Sequence, residues 1–167
     1  MQRLILLRHG KAESTAGAGG DFERGLTERG RREAVLIGQA LAQTGYAPDL
    51  VLVSTARRAM ETWEAAQSAF PKARMAPARE LYHASADALA EAIDTAGESV
   101  GALMVVGHNP GLHELALTLM VSPKGRAESA LAESFPTAAA AVFQLHADGR
   151  FEFERFIAPN ATEAGGA

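Results

Sequence analysis

Three short stretches of the chain are apolar without a break: Leu4-Ile5-Leu6-Leu7, Leu50-Val51-Leu52-Val53 and Ala102-Leu103-Met104-Val105-Val106. A strand with one wet face alternates apolar and polar side chains, so uninterrupted runs like these need cover on both faces. Helical periodicity fills the intervals between them. Thr27 offers an N-cap for a helix ending near Thr44, with Ala34, Ile37 and Leu41 on one face and Gly45 as its stop. A second helix is expected over 57–70, with Ala59, Trp63, Ala66 and Phe70 aligned, and a third after Ser85, carrying Leu89, Ala90 and Ile93. Asn109 reads as the cap of a fourth, with Pro110 at its first helical position and Met120 near its end. Residues 76–81 read as a short extended connection, 14–25 as a glycine-rich loop and 122–136 as a polar connection. The segments 139–145 and 151–157 flank Asp148-Gly149 and read as a hairpin.

Strands alternating with helices specify an α/β fold: a three-layer sandwich, its central sheet mostly parallel, with helices on both faces and a C-terminal hairpin. A single domain is expected over 1–158, with 159–167 a disordered tail. The 167 residues, 47% of them hydrophobic, suffice for a core without staples, and the absence of cysteine excludes disulfides, thiolate metal sites and a cysteine nucleophile. A net charge of −4 gives no footprint for nucleic acid or an anionic membrane, so neither is expected as a partner. The first apolar run is cut short by Arg8, too early for a secretory signal or a membrane span, and a cytoplasmic location is the expectation.

In open parallel sheets, ligands bind beyond the carboxyl ends of the strands. Past the first run stands Arg8-His9-Gly10-Lys11, past the second Ser54-Thr55-Ala56-Arg57-Arg58, and past the third Gly107-His108-Asn109-Pro110. Two imidazoles and at least two guanidiniums are thus directed to one edge. Arginine presents a planar fork matched to phosphate oxygens, and the following helix N-termini add backbone N–H groups. Other motifs fail. A Walker phosphate loop would need glycine at Ile5 and Ser or Thr at Ala12; Gly17-Ala18-Gly19-Gly20 precedes no helix; His108 and His113 lie at a poor spacing for a metal. Asp21 and Glu23 offer no convincing cation site. His83 and His146 read as surface residues, and His113 as either a pocket or a solvent-facing residue.

Leu7-Arg8-His9-Gly10, Ser54-x-x-x-Arg58-Ala59-x-x-Thr62 and Gly107-His108-Asn109-Pro110 together resemble the histidine phosphatase (phosphoglycerate mutase-like) superfamily. The short length resembles its SixA-type phosphohistidine phosphatase branch, as do Asp21-x-x-Arg24-x-Leu26-Thr27-x-x-Gly30 and Phe135-Pro136-Thr137. The resemblance implies that His9 is a nucleophile carrying the phosphoryl group, that Arg8 and Arg58 bind phosphate oxygens, and that His108 is a second imidazole stabilising the transferring group. Arg57 is then an outward charge. Glu80 is the candidate general acid, or else an ordinary solvated glutamate. Gly25 departs from the proline common in that branch. The implied reaction is phosphoryl transfer to histidine and then to water, with no metal and no cofactor required. Its substrate is a phosphohistidine on a partner protein or, alternatively, a small phosphate ester. A phosphate-binding module without catalysis is the third reading, against which the full set of His9, Arg8, Arg58 and His108 argues.

Overall fold

The computed structural model describes residues 1–120 and 125–159. Six strands form one sheet: β1 (Arg3–Arg8), β2 (Leu50–Ser54), β3 (Arg74–Ala78), β4 (Ala102–Gly107), β5 (Ala140–Leu145) and β6 (Phe151–Ile157). Their spatial order is β3-β2-β4-β1-β5-β6. The first four are mutually parallel; β5 runs antiparallel to β1 and β6 antiparallel to β5. The helices are α1 (Glu28–Gln43), α2 (Arg57–Ala66), α3 (Ala86–Gly97), α4 (Gly111–Leu119) and α5 (Arg126–Glu133). The fold is the expected α/β sandwich with a mixed sheet.

Alternation along the strands builds two cores. Leu4 and Leu6 of β1, with Leu103 and Val105 of β4, pack against Leu89 and Ile93 of α3, Leu112 and Leu115 of α4 and Leu131 of α5. Ile5 and Leu7, with Val51, Val53, Met104 and Val106, pack against Ile37 and Leu41 of α1 and Ala59 and Trp63 of α2. All four side chains of the first apolar run are fully buried, each stabilising the fold by roughly 1.5–3 kcal/mol. Local signals set the helix starts. Thr27 Oγ1 accepts from Gly30 N–H at 3.0 Å and Ser85 Oγ from Ala88 N–H at 3.2 Å. Gly45 ends α1 at φ +82°, and Gly149 turns the hairpin at φ +83°.

Several expectations need correction. Residues 74–78 are a strand, not a connection; among the described residues β3 pairs only with β2, and an edge tolerates Pro77, which lacks a ladder donor. The 57–70 helix stops at Ala66 and tightens into a 3-10 turn over Gln67–Ala69. Asn109 is not a cap: its side-chain N–H donates to the Phe135 carbonyl at 2.9 Å, and α4 begins at Gly111 with Pro110 as N-cap. The polar connection contains α5, in which Leu131 alone is buried, so no apolar period marks it. The tail 160–167 lies outside the described residues. No helix among the described residues is long and apolar enough to cross a membrane.

One close approach ties the site loop to α1. A Cβ on Gly10 would stand 2.7 Å from the Gly30 carbonyl oxygen, and one on Gly30 would collide with the Lys11 carbonyl oxygen. Glycine to alanine in a helix ordinarily stabilises by about 0.5–1 kcal/mol. Here the sign reverses: Gly30→Ala is expected to destabilise by about 1–3 kcal/mol, measured by urea denaturation. An unchanged or raised stability would show that the two backbones can separate freely.

Candidate active site

The strand register places the site. Arg8, the last residue of β1, is paired with Gly107, the last of β4, and Val53 is paired with Val106. The next residues, His9 and His108, therefore leave neighbouring strands side by side, their ring centroids 5.1 Å apart. β2 ends beside them at Ser54 and leads through a short loop into α2, whose second residue is Arg58. Chain order explains the gap between β1 and β2: β4 fills it later, so three strand ends from distant parts of the sequence share one edge.

The His9 ring is fixed by its neighbour. Nδ1 lies 2.8 Å from the Gly10 carbonyl oxygen, which can only accept, so Nδ1 carries the proton and Nε2 keeps its lone pair. Gly10 N–H donates to Thr62 Oγ1 at 2.9 Å, and that hydroxyl donates to the Arg58 carbonyl at 2.6 Å. His108 Nε2 shares a 2.6 Å hydrogen bond with Ser54 Oγ, while its Nδ1 is buried without a partner. Burial, followed by the nearby Arg58 and Arg8 charges, lowers His9 from 6.5 to about 4. Burial, then the charges of His9, Arg58 and His83, lowers His108 to about 3. Both rings are neutral at pH 7.

The guanidiniums are anchored from behind. Arg8 donates to the Phe135 carbonyl at 2.9 Å, the same oxygen that receives the Asn109 amide. Burial alone lowers its pKa. Arg58, its side chain 4% exposed, donates to the Asp21 carbonyl at 2.8 Å and to Asp21 Oδ2 at 3.0 Å. The Nε–H of each arginine is buried and unpartnered. Arg8, His9, Lys11, Asp21, Arg24 and Arg58 line a polar pocket of about 270 Å³, together with Ala12, His83, Asn109 and Thr137. Arg57 points outward and pairs with Glu61 at 2.9 Å.

Of the expected site residues, Arg8, His9 and Arg58 line the pocket, and His108 backs His9. Glu80 does not join them. The 3-10 turn over Arg79–Leu81 drives Leu81 into the core and leaves Glu80 exposed on a separate groove with Leu52, Ala88 and Glu91. His113 is neither a pocket nor a solvent-facing residue; its Nε2–H donates to the Leu131 carbonyl at 2.7 Å. Sequence reasoning missed a cluster centred on Asp21. Its Oδ1 meets Arg24 at 2.8 Å; its Oδ2 accepts from Tyr82 at 2.7 Å and Arg58 at 3.0 Å, and lies 3.2 Å from His83 Nε2. The Tyr82 hydrogen bond, then those of Arg24 and Arg58, hold the Asp21 carboxyl far below its ordinary range. The Asp21-x-x-Arg24 spacing was the available signal. Nothing in the sequence tied it to Tyr82 and His83, which arrive from the far side of β3.

Residues 4–81 match the histidine phosphatase superfamily (branch 1). An uncharacterized protein of Mycobacterium tuberculosis is 36% identical over 144 residues, spanning 83% of this chain and 87% of that one. A solved structure from Agrobacterium tumefaciens, provisionally assigned as the phosphohistidine phosphatase SixA, superposes with a TM-score of 0.82 at 35% identity, over 95% of this chain and 99% of that one. The protein histidine phosphatase SixA complexed with tungstate shares the fold, with a TM-score of 0.78 at 24% identity over 95% and 98% of the two chains.

The buried neutral histidines make stability depend on pH. Between about 6.5 and the lowered folded values, the unfolded chain binds protons that the folded chain refuses. Stability is therefore complete above pH 6.5 and falls as pH drops toward 4. Urea denaturation at pH 7 and pH 5 is expected to show this loss, and His9→Gln and His108→Gln are each expected to shrink it. A loss of the same size in both variants would place its origin elsewhere.

Proposed function

The chain belongs to the histidine phosphatase superfamily, and on that premise we propose that it hydrolyses phosphohistidine on a partner protein, by phosphoryl transfer to His9 and then to water. Neutral His9, with Nδ1–H held by Gly10, attacks phosphorus through Nε2. Arg8 and Arg58 bind the phosphoryl oxygens, offering N–H groups that have no protein partner. His108 supports the transferring group from beside the His9 ring. Such transfer rests mainly on positioning and on charge stabilisation, which these side chains supply without calling on a metal. Residues 1–158 act as one domain in this reading.

The choice of substrate rests on one observation: among the described residues lining the pocket no carboxylic acid is available as a donor, since the Asp21 carboxylate is kept ionised by its bonds to Tyr82, Arg24 and Arg58. An alkoxide departing from a phosphate ester needs a proton delivered to it. The imidazole of a phosphohistidine can be protonated from solvent on its other ring nitrogen and leaves with less help. The family likeness, including the 35% identity to the Agrobacterium protein, supports the same substrate class.

Two outcomes check the reading. Brief incubation with a labelled phosphohistidine protein should trap an acid-labile, alkali-stable phosphoenzyme that His9→Ala lacks; equal labelling of both proteins would end the nucleophile assignment. Turnover of the phosphohistidine protein should exceed that of a panel of small alkyl phosphates by about tenfold or more, with Glu80→Gln changing neither. A preference for an alkyl ester would transfer the function to small-molecule phosphate hydrolysis.

A further inference from the structure

His83 is exposed, yet it is held over the pocket. Its backbone adopts φ +55°, a left-handed conformation uncommon for a residue with a Cβ. Its Nε2 lies 3.2 Å from Asp21 Oδ2. Its ring packs 4.2 Å from the Tyr82 ring and 5.9 Å from that of His108, centroid to centroid. It lines the same pocket as His9, and its side chain is 62% exposed, whereas His9 and His108 are buried. His83 and His9 thus line one pocket, and the His108 ring packs against both of theirs. The charged and titratable groups around His83 are Asp21, Tyr82, His108 and, through Asp21, Arg58 and Arg24.

We propose that His83, paired with Asp21, is the proton donor to the leaving group, in the role for which Glu80 is wrongly placed. The inference rests on the phosphatase reading above. In the first step the P–N bond to His9 Nε2 forms while the bond to the leaving group breaks, and the His83 imidazolium passes its proton to the departing atom. Neutral His83 then takes a proton from the attacking water as the P–N bond breaks. His9 recovers its lone pair, phosphate departs and His83 is again protonated. Asp21 stays ionised throughout and orients the ring through its contact with Nε2.

The test uses leaving groups that differ in their need for a proton. His83→Gly suits the left-handed backbone and removes the imidazole. It should lower kcat/KM for an alkyl phosphate by about 100-fold, and for 4-nitrophenyl phosphate and a phosphohistidine protein by less than about threefold. Added free imidazole should restore alkyl phosphate turnover. The pH profile of alkyl phosphate turnover should differ between the wild-type chain and the variant, while that of 4-nitrophenyl phosphate should be the same in both. Equal losses on all three substrates with no imidazole rescue would overturn the donor role and leave His83 a positioning residue. If the wild-type chain turned over none of the three and His9 took no label, the phosphatase reading itself would fall. His83→Asn, which tolerates the same backbone, repeats the comparison should the glycine variant unfold.

Discussion

Gly10 is held at both ends of its peptide group: its N–H by the Thr62 hydroxyl and its carbonyl by His9 Nδ1–H. The chemistry depends on this small arrangement. If the carbonyl turned away, His9 could carry its proton on either nitrogen, and the nitrogen facing the pocket would no longer be defined. Thr62 reaches Gly10 because it lies one helical turn beyond Arg58 in α2, and its hydroxyl also bonds the Arg58 carbonyl. A single hydroxyl therefore sets the distance between the His9-Gly10 loop and the helix that carries Arg58. The bare backbones of Gly10 and Gly30 let α1 close on the other side. Side chains at those positions would push the loop out of register with both helices.

Burial and charge act on the histidines in the same direction. The proposed reaction calls for a neutral imidazole, and near two arginines in a desolvated pocket the charged form is the costly one. The site therefore needs no separate base to deprotonate His9. The same burial has a structural cost. Arg8 and Arg58 each keep an unsatisfied N–H, and His108 keeps an unsatisfied Nδ1, in a protein interior where such groups are normally paired. Unmet polar atoms on residues that follow separate strand ends are poor economy for stability alone. The two arginine N–H groups are donors of the kind that the oxygens of an anion accept from.

Much of this was legible in the sequence because strand ends announce themselves. An apolar run that stops abruptly at Arg-His-Gly or Gly-His-Asn marks both the strand and what lies beyond it, and three such stops in a parallel sheet must converge. The central strands, the capped helices α1 and α3 and the hairpin follow from the same local rules. What was hidden lacks a local rule. β3 reads Arg74-Met75-Ala76-Pro77-Ala78, mostly exposed and carrying a proline, so only its partner β2 makes it a strand. Glu80 and His83 lie three residues apart in a segment with no period. Whether either faces the pocket is decided by the 3-10 turn that buries Leu81, and the turn points Glu80 away. Asp21 sits in a glycine-rich stretch that looks like a bare loop until Arg58, Arg24 and Tyr82 close on it.

Asp21 also bears on how a chain of net charge −4 could hold the proposed anionic substrate. At physiological ionic strength, charges more than about 8 Å apart are largely screened, so the acidic surface elsewhere has little influence on the pocket. Inside it, Arg8, Arg24, Arg58 and Lys11 outnumber the one carboxylate. Without a ligand, Asp21 neutralises part of that excess at Arg58 and Arg24 and keeps the guanidiniums from repelling one another. A phosphoryl dianion brings twice the charge of a carboxylate and more acceptor oxygens. It can take the unpartnered N–H groups while Arg58 stays bonded to the Asp21 carbonyl at its other nitrogen. The carboxylate therefore need not leave for the substrate to bind. It sets how much positive charge the substrate meets, and through His83 it extends that influence from the phosphoryl group to the group that departs.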